Sequence, residues 1–291
     1  MARMYYALQS VQHNSTPLYG IQSIGASSAG NVTPIFQLGM QGLYGSYSSD
    51  DEPIEITISK QLDGRPLIYD TLTGGANDRI QFNFWTAAGE ASGGNNDGQT
   101  DKSLVMPKYK VSSVSYTFDV DGVGTEEVTI IGDGLTADNT LTRALMSSSI
   151  VSPADLATRA RVKQINGGSP QGYQSVTFTY NLNLENLYTL GKFTAEERYS
   201  PGPSETTIEF VESVEYMEAM GSSAAETIGG CTQTAIGGGS PKSIELCDGT
   251  KISVLKAVST STSYAGGGTD GSPLLKTSSW TAYDDFAVVG P

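Results

Sequence analysis

The sequence predicts a mainly β protein: an antiparallel β-sandwich or barrel with one or two short helices and an internal duplication. Three observations lead there. Much of residues 20–39 returns once, without a gap, at residues 172–191. Several segments alternate apolar and polar residues with period two, the pattern of a strand with one buried face. Charged residues are 16% of the chain and glycine supplies 34 of 291 residues, which suits strands joined by tight turns and is unlike a charged disordered tail.

The repeat governs the reading of everything around it. Gly20-Ile21-Gln22-Ser23-Ile24 matches Gly172-Tyr173-Gln174-Ser175-Val176, and the run Asn31 to Gly39 matches Asn183 to Gly191, at a constant offset of 152 (Gly20 to Gly172). Ile24/Val176, Ile35/Leu187 and Phe36/Tyr188 keep shape as well as polarity. The offset is the size of an ordinary domain, so two units are expected. The expected division is an N-terminal arm at 1–17, a first β unit at 18–134, a connector with a short helix at 135–170, and a second β unit at 171–291.

In chain order, the arm ends in the turn-rich His13-Asn14-Ser15-Thr16-Pro17. A short strand follows at 20–24, and the small residues Gly25 to Gly30 read as a loop, in the slot that the second copy fills with Thr177-Phe178-Thr179-Tyr180. Residues 54–60 give the clearest alternation, isoleucines on one face and Glu55, Thr57 and Ser59 on the other. Asp63-Gly64-Arg65-Pro66 is a turn, Arg79 to Thr86 an alternating strand, and residues 88–101 a long glycine-rich loop. Tyr109 to Val120 and Glu126 to Ile131 read as strands joined by Asp121-Gly122-Val123-Gly124. Ser152-Pro153-Ala154-Asp155 has the N-cap, first-turn proline and acidic residue of a helix start, predicting a helix over 154–162. Thr140 to Met146 is a second helix candidate. The second copy repeats the plan with a strand from Val176 to Leu184 and another from Thr206 into Val214. Gly221 to Gly239 reads as a surface loop, residues 243–257 as a hairpin turning at Asp248-Gly249, and Lys276 to Val289 as a final strand.

Acidic residues outnumber basic ones 31 to 17, a net charge of −14. A nucleic-acid-gripping surface needs Lys and Arg to displace counterions from phosphates, so this balance argues against one. The opening residues turn polar before an export signal develops, and no run reaches the ~18 apolar residues of a membrane span. Synthesis in a cytoplasm is expected. Cys231 and Cys247, the two cysteines, are either free thiols or a hairpin-bridging disulfide.

Catalytic and metal-binding patterns do not assemble. His13 is the single histidine, which excludes a multi-histidine zinc site and a histidine triad. Asp119-Val120-Asp121-Gly122 lacks the later ligands of a calcium loop and reads as a hairpin turn. The glycine clusters lack the Gly-Lys-Ser/Thr ending of a phosphate loop. Asp50-Asp51-Glu52 and Asp284-Asp285 read as solvated acidic loops. No catalytic residue, cofactor or metal is expected.

Gly20-Ile21-Gln22-Ser23-Ile24, Phe36-Gln37-Leu38-Gly39, Leu62-Asp63-Gly64-Arg65-Pro66-Leu67-Ile68-Tyr69 and Tyr109-Lys110-Val111-Ser112-Ser113-Val114-Ser115-Tyr116 resemble tail tube and related virion structural proteins of long-tailed bacteriophages. Asp248-Gly249-Thr250-Lys251-Ile252 and Tyr283-Asp284-Asp285-Phe286 are similar to the end of such chains. The resemblance implies a β-sandwich subunit that joins other copies of itself into rings, stacked into a tube through which DNA passes without specific binding, in a virion tail made in the host cytoplasm beside other tail proteins. If the strand at 54–60 lines that tube, the lumen-facing candidates are Glu55, Thr57 and Ser59, with Thr207 and Glu209 in the second copy. Six chains per ring, with both copies in one sandwich, are expected in preference to three chains in which each copy is a full unit, because the shared core is short and the regions after it diverge. A trimeric pseudo-sixfold hub or distal tail component and a carbohydrate-binding β-sandwich are the alternatives.

Overall fold

Alternation decides the layers. The computed structural model describes residues 9–14, 16–28, 32–38, 41–48, 53–72, 79–84, 102–137, 155–192, 195–214, 225–228, 231–234, 239–266 and 273–291. The first unit runs β1 (Gln9–His13), β2 (Thr16–Pro17), β3 (Ile21–Ser28), the hairpin β4 (Val32–Ile35) and β5 (Gly45–Ser48), β6 (Ile54–Gln61), the short helix α1 (Ile68–Leu72), β7 (Arg79–Phe84), β8 (Lys102–Pro107), β9 (Lys110–Asp119), β10 (Thr125–Gly132) and β11 (Thr136–Ala137). The second runs β12 (Val162–Ile165), β13 (Tyr173–Asn181), the hairpin β14 (Glu185–Leu187) and β15 (Glu197–Tyr199), β16 (Glu205–Val214), β17 (Ala225–Ile228), β18 (Cys231–Thr234), β19 (Ser240–Leu246), the long β20 (Lys251–Ala265), β21 (Leu274–Tyr283) and β22 (Ala287–Val289).

Eight strands form one antiparallel sheet in the order β3-β6-β10-β9-β13-β16-β21-β20. Ile56, Ile58, Val128, Ile130, Tyr116, Phe178, Ile208 and Phe210 point to its buried face. That face packs against two smaller sheets. In the first unit the small sheet is β11-β8-β7-β1-β2, presenting Val11, Ile80, Phe82 and Met106. In the second it is β12-β19-β20-β22, presenting Ile165, Ile244, Leu246, Ile252 and Val254. All join a single contiguous core. The long β20 serves both layers: residues 251–257 pair with β19 or β22, and residues 258–265 pair with β21.

The duplication is therefore structural and larger than the sequence match. β3 pairs with β6 as β13 pairs with β16, residue for residue at the offset of 152: Ile24↔Ile58 becomes Val176↔Phe210, and Ala26↔Ile56 becomes Phe178↔Ile208. Even the irregularity recurs, between Ile21 and Ser23 and between Tyr173 and Ser175. So do two loop hydrogen bonds: Gln61 N–H donates to Gly20 O and Ser213 N–H to Gly172 O, while Tyr44 N–H donates to Ile35 O and Glu196 N–H to Leu187 O. Gly20 and Gly172 both adopt positive φ, 77° and 91°, a conformation glycine enters without a Cβ penalty. The remaining strands correspond by their partners: β1, β7, β8, β9, β10 and β11 to β12, β19, the start and the end of β20, β21 and β22. Each unit is a complete two-layer sandwich, and the large sheet crosses from one to the other where β9 pairs with β13.

Several expectations need correction. The helix expected over 154–162 is a single 3-10 turn at Arg159–Arg161, and Val162 already begins a strand. Its backbone is committed elsewhere: Ala157 N–H donates to Leu62 O, Gly124 N–H donates to Ala157 O, and β12 pairs with β19. Long-range ladder bonds override the local helix-start signal. Gly25 to Ser28, read as loop, is strand paired with β6. Gln9–His13, assigned to an arm, is a strand of the first small sheet, and β12, assigned to the connector, is the matching strand of the second. The final strand is two, separated at Asp284, where φ is 48°. Residues 225–228 and 231–234, read as loop, pair as a hairpin. The candidate helix at 140–146, the loop at 88–101 and the acidic run at 50–52 lie outside the described residues.

Candidate functional surface

The outward face of the eight-stranded sheet follows from the same alternation. Every second residue of each strand points away from the core, and antiparallel register aligns these residues into rows across the strands. One row reads Ser23, Ser59, Glu127, Ser115, Thr179, Thr207 and Thr281. The next reads Gln61, Thr125, Thr117, Thr177, Glu209, Ser279 and Ser261. On the other side lie Gly25, Thr57, Thr129, Ser113, Asn181, Glu205 and Tyr283. Apart from Gly25 and the exposed Val258 opposite Thr281, these rows hold hydroxyls, amides and carboxylates, and they have no lysine or arginine. Lys110 sits at the rim, in the row of Ile131, Glu55 and Ser27. Hydroxyls meet across strands, Thr57 with Thr129 and Ser115 with Thr179, at 3.4 Å in each case.

The five residues singled out from sequence all lie on this face. Glu55, Thr207 and Glu209 are exposed, and Thr57 and Ser59 are half-buried. The structure brings Glu127, Glu205 and Asp119 to the same side. Sequence reasoning missed these three because a strand's alternation names its faces but does not say which strand lies beside it.

The opposite face holds the most heavily buried charges. Glu126 is fully buried and accepts hydrogen bonds from the N–H groups of Ile68 (2.7 Å) and Tyr69 (2.9 Å) and from the hydroxyl of Tyr116 (2.9 Å). It thereby caps the start of α1. Burial pushes its pKa up, and the three donors and nearby Lys60 oppose that shift. Burial also pushes Tyr69 up to about 12. Lys60, 1% exposed, donates to Pro66 O at 2.7 Å and to Arg65 O at 3.2 Å, and pairs with Asp63 at 3.4 Å. Lys60 and Glu126 face each other across β6 and β10. At the same position of the second unit Glu212 faces Lys276, with the signs exchanged and the ions 3.0 Å apart. Tyr116 stands opposite Glu126, and Tyr264 opposite Lys276. These groups are consumed by structural bonds and stay away from the outward face.

Tyr69, Tyr116, Asp248, Asp284, Asp285 and Phe286 act as structural joints. Phe286 stacks on Tyr180, with ring centroids 4.6 Å apart, and meets Tyr69 and Tyr116, so the two units share one aromatic cluster. Asp284 accepts from the N–H and hydroxyl of Ser204, and Asp285 accepts from the N–H groups of Leu255 and Lys256. Asp248 accepts from Thr250 N–H and closes the hairpin turn. His13 is buried edge-on to Tyr109. Cys247 is an exposed free thiol, and the side chain of Cys231 lies outside the described residues.

A pocket of about 290 Å³ opens at the end of the β9–β13 seam, lined chiefly by Phe118, Val120, Ala157, Ile165, Tyr173 and Val176. Asp119, Arg159, Gln171, Gln174 and Ser175 supply the polar part of its lining, which includes no histidine, cysteine or glutamate. Among the described residues no three His, Cys, Asp or Glu side chains cluster as metal ligands, and no helix is long and apolar enough to cross a membrane. No protein-family model matches the sequence, and no curated protein is significantly similar to it.

Proposed function

We propose that this protein is a non-catalytic structural subunit of a bacteriophage-type tail tube, a hollow conduit through which DNA passes without being held. The observation that carries this reading is the outward face of the eight-stranded sheet: a wide, continuous surface of hydroxyls and carboxylates whose central rows have no Lys or Arg. Repeated around a ring, such a wall repels phosphates and gives them no counterion to bind. Its partners are then other copies of the chain and other tail proteins, and its place is the virion tail, after synthesis in the host cytoplasm.

Because each copy is a full sandwich, we favour three chains per ring, supplying six units, over the six chains expected if both copies shared one sandwich. The duplication also favours a second reading, a single trimeric pseudo-sixfold ring acting as hub or distal tail component. Electron microscopy of the purified protein separates these. The tube reading expects long hollow filaments or stacked rings, and single rings that never stack support the hub. Dispersed monomers with glycan affinity count against both.

A further inference from the structure

The seam inside the chain is a template for a joint between chains. β9 and β13 pair antiparallel, Phe118↔Val176, Tyr116↔Phe178 and Val114↔Tyr180 facing inward. Five of these six side chains are buried, none more than 5% exposed, and Tyr180 packs against the core. Through the repeat, β13 corresponds to β3, and β9 corresponds to the end of β20 (Tyr116 to Tyr264). Among the described residues both counterparts lie at the ends of the large sheet: β3 pairs there with β6, and residues 258–265 of β20 pair with β21. The first unit thus ends in a strand of the kind the second unit offers at the seam, and the second unit ends in a strand of the kind the first offers.

Open edges are normally blocked by charge, proline or a bulge because unpaired N–H and C=O groups recruit other strands. Ile21–Ser28 and residues 258–265 contain no charged residue and no proline. Their register irregularities, at Ile21/Ser23 and Ser259/Ser261, lie before the stretches that correspond to the seam. Positions packed inward in the seam are exposed here: Ala26, Ser28 and Thr262 stand where the buried Phe178, the half-buried Tyr180 and the buried Val114 stand inside the chain.

We propose that the end of β20 in one chain pairs antiparallel with β3 of the next, in the register of the internal seam: Ile24↔Gly266, Gly25↔Ala265, Ala26↔Tyr264, Ser27↔Ser263 and Ser28↔Thr262. The partner is a second copy of this chain. Ala26 gives Tyr264 a small neighbour where Phe178 gives Tyr116 a large one, so the joint between chains is chemically distinct from the joint within. A head-to-tail contact of this kind joins unlike surfaces and closes into a ring when its rotation allows. The proposal rests on the ring reading above for the number of chains and on the internal seam for the contact itself.

The test uses the full chain with Cys231→Ser and Cys247→Ser, to which Ser27→Cys and Ser263→Cys are added. Directly opposed residues on neighbouring strands lie within disulfide reach, so oxidation is expected to link chains into a covalent ladder of oligomers. The shifted pair Ser27→Cys with Ser261→Cys is expected to give at least tenfold less product. Ala26→Lys, exposed in the single chain, is expected to keep the circular dichroism and melting profile while remaining monomeric in sedimentation. Equal linking by the shifted pair, normal assembly of Ala26→Lys, or an unmodified chain that stays monomeric would each overturn the joint. Tubes seen by microscopy without the Ser27–Ser263 link reject this joint and leave the conduit reading standing. Linked oligomers that never form tubes do the reverse.

Discussion

Arg198, on β15 of the second unit, is ion-paired with Asp133, at the end of β10 in the first. The arginine side chain is 5% exposed and the aspartate 31%. At the repeat offset the first unit has Ser46 in place of Arg198, so its hairpin β4–β5 lacks this anchor. Removing one partner of a buried pair costs roughly 3–5 kcal/mol, less where the remaining charge reaches water. Arg198→Ala is therefore expected to lower stability by ~1–3 kcal/mol in urea unfolding, and Asp133→Asn by a smaller amount. Arg198→Ala with unchanged stability would show that the pair does not hold the hairpin.

Glu126 gives a pH dependence with a definite sign. Its folded pKa is raised above the ordinary 4.5 by burial. The stability linked to this group is fully present below that ordinary value and is lost as pH rises through the raised folded value. Glu126→Gln removes the titration. The stability difference, wild type minus variant, is expected to fall as pH rises from about 4 towards neutrality. A difference that grows over this range contradicts the assignment.

Gly20 and Gly172 test the duplication by their unequal surroundings. Both have positive φ, which costs a residue with a Cβ ~1 kcal/mol. A Cβ on Gly172 meets nothing nearer than Ser213 O at 3.6 Å, whereas one on Gly20 lies 2.9 Å from Asp63 Oδ2 and 3.1 Å from Lys60 Cε. Gly172→Ala is expected to cost ~1 kcal/mol and Gly20→Ala ~2–3 kcal/mol, since the latter also disturbs a buried ion pair. Equal costs in thermal unfolding would mean that the Lys60–Asp63 pair gives way freely.

The outward face predicts how DNA passage responds to charge. Glu55→Lys with Glu209→Lys is expected to leave the fold intact, because both side chains are exposed. Tubes carrying the pair are expected to slow DNA delivery at low salt and to recover as screening increases. Delivery unchanged at low salt removes the conduit wall from this face.

The repeat was legible where the chain kept its length. From Gly20 through Ser59 no residue is gained or lost relative to the second copy, so one offset aligns sequence and register together. Beyond that the offset drifts, to 150 (Glu126 to Lys276) and 148 (Tyr116 to Tyr264), while Lys60 and Glu126 exchange signs with Glu212 and Lys276. Shape and register survived, but side-chain identity did not. Helix α1 left no local mark because the carboxylate that caps it comes from Glu126, 58 positions beyond Ile68. β1 read as an arm because Ser10 and Gln12, polar in sequence, are buried beside Asn83, which donates to both. The face carrying Glu55, Thr57, Ser59, Thr207 and Glu209 was readable strand by strand. Its width and lack of central cations emerged only from the pairing of β9 with β13.

The central claim is that one chain contributes two equivalent units to a closed ring. Native mass spectrometry of isolated rings, paired with symmetry analysis of their images, tests it most directly. Three chains showing six similar lobes is the expected result; six chains per ring, or lobes that differ between the two halves of a chain, would contradict it.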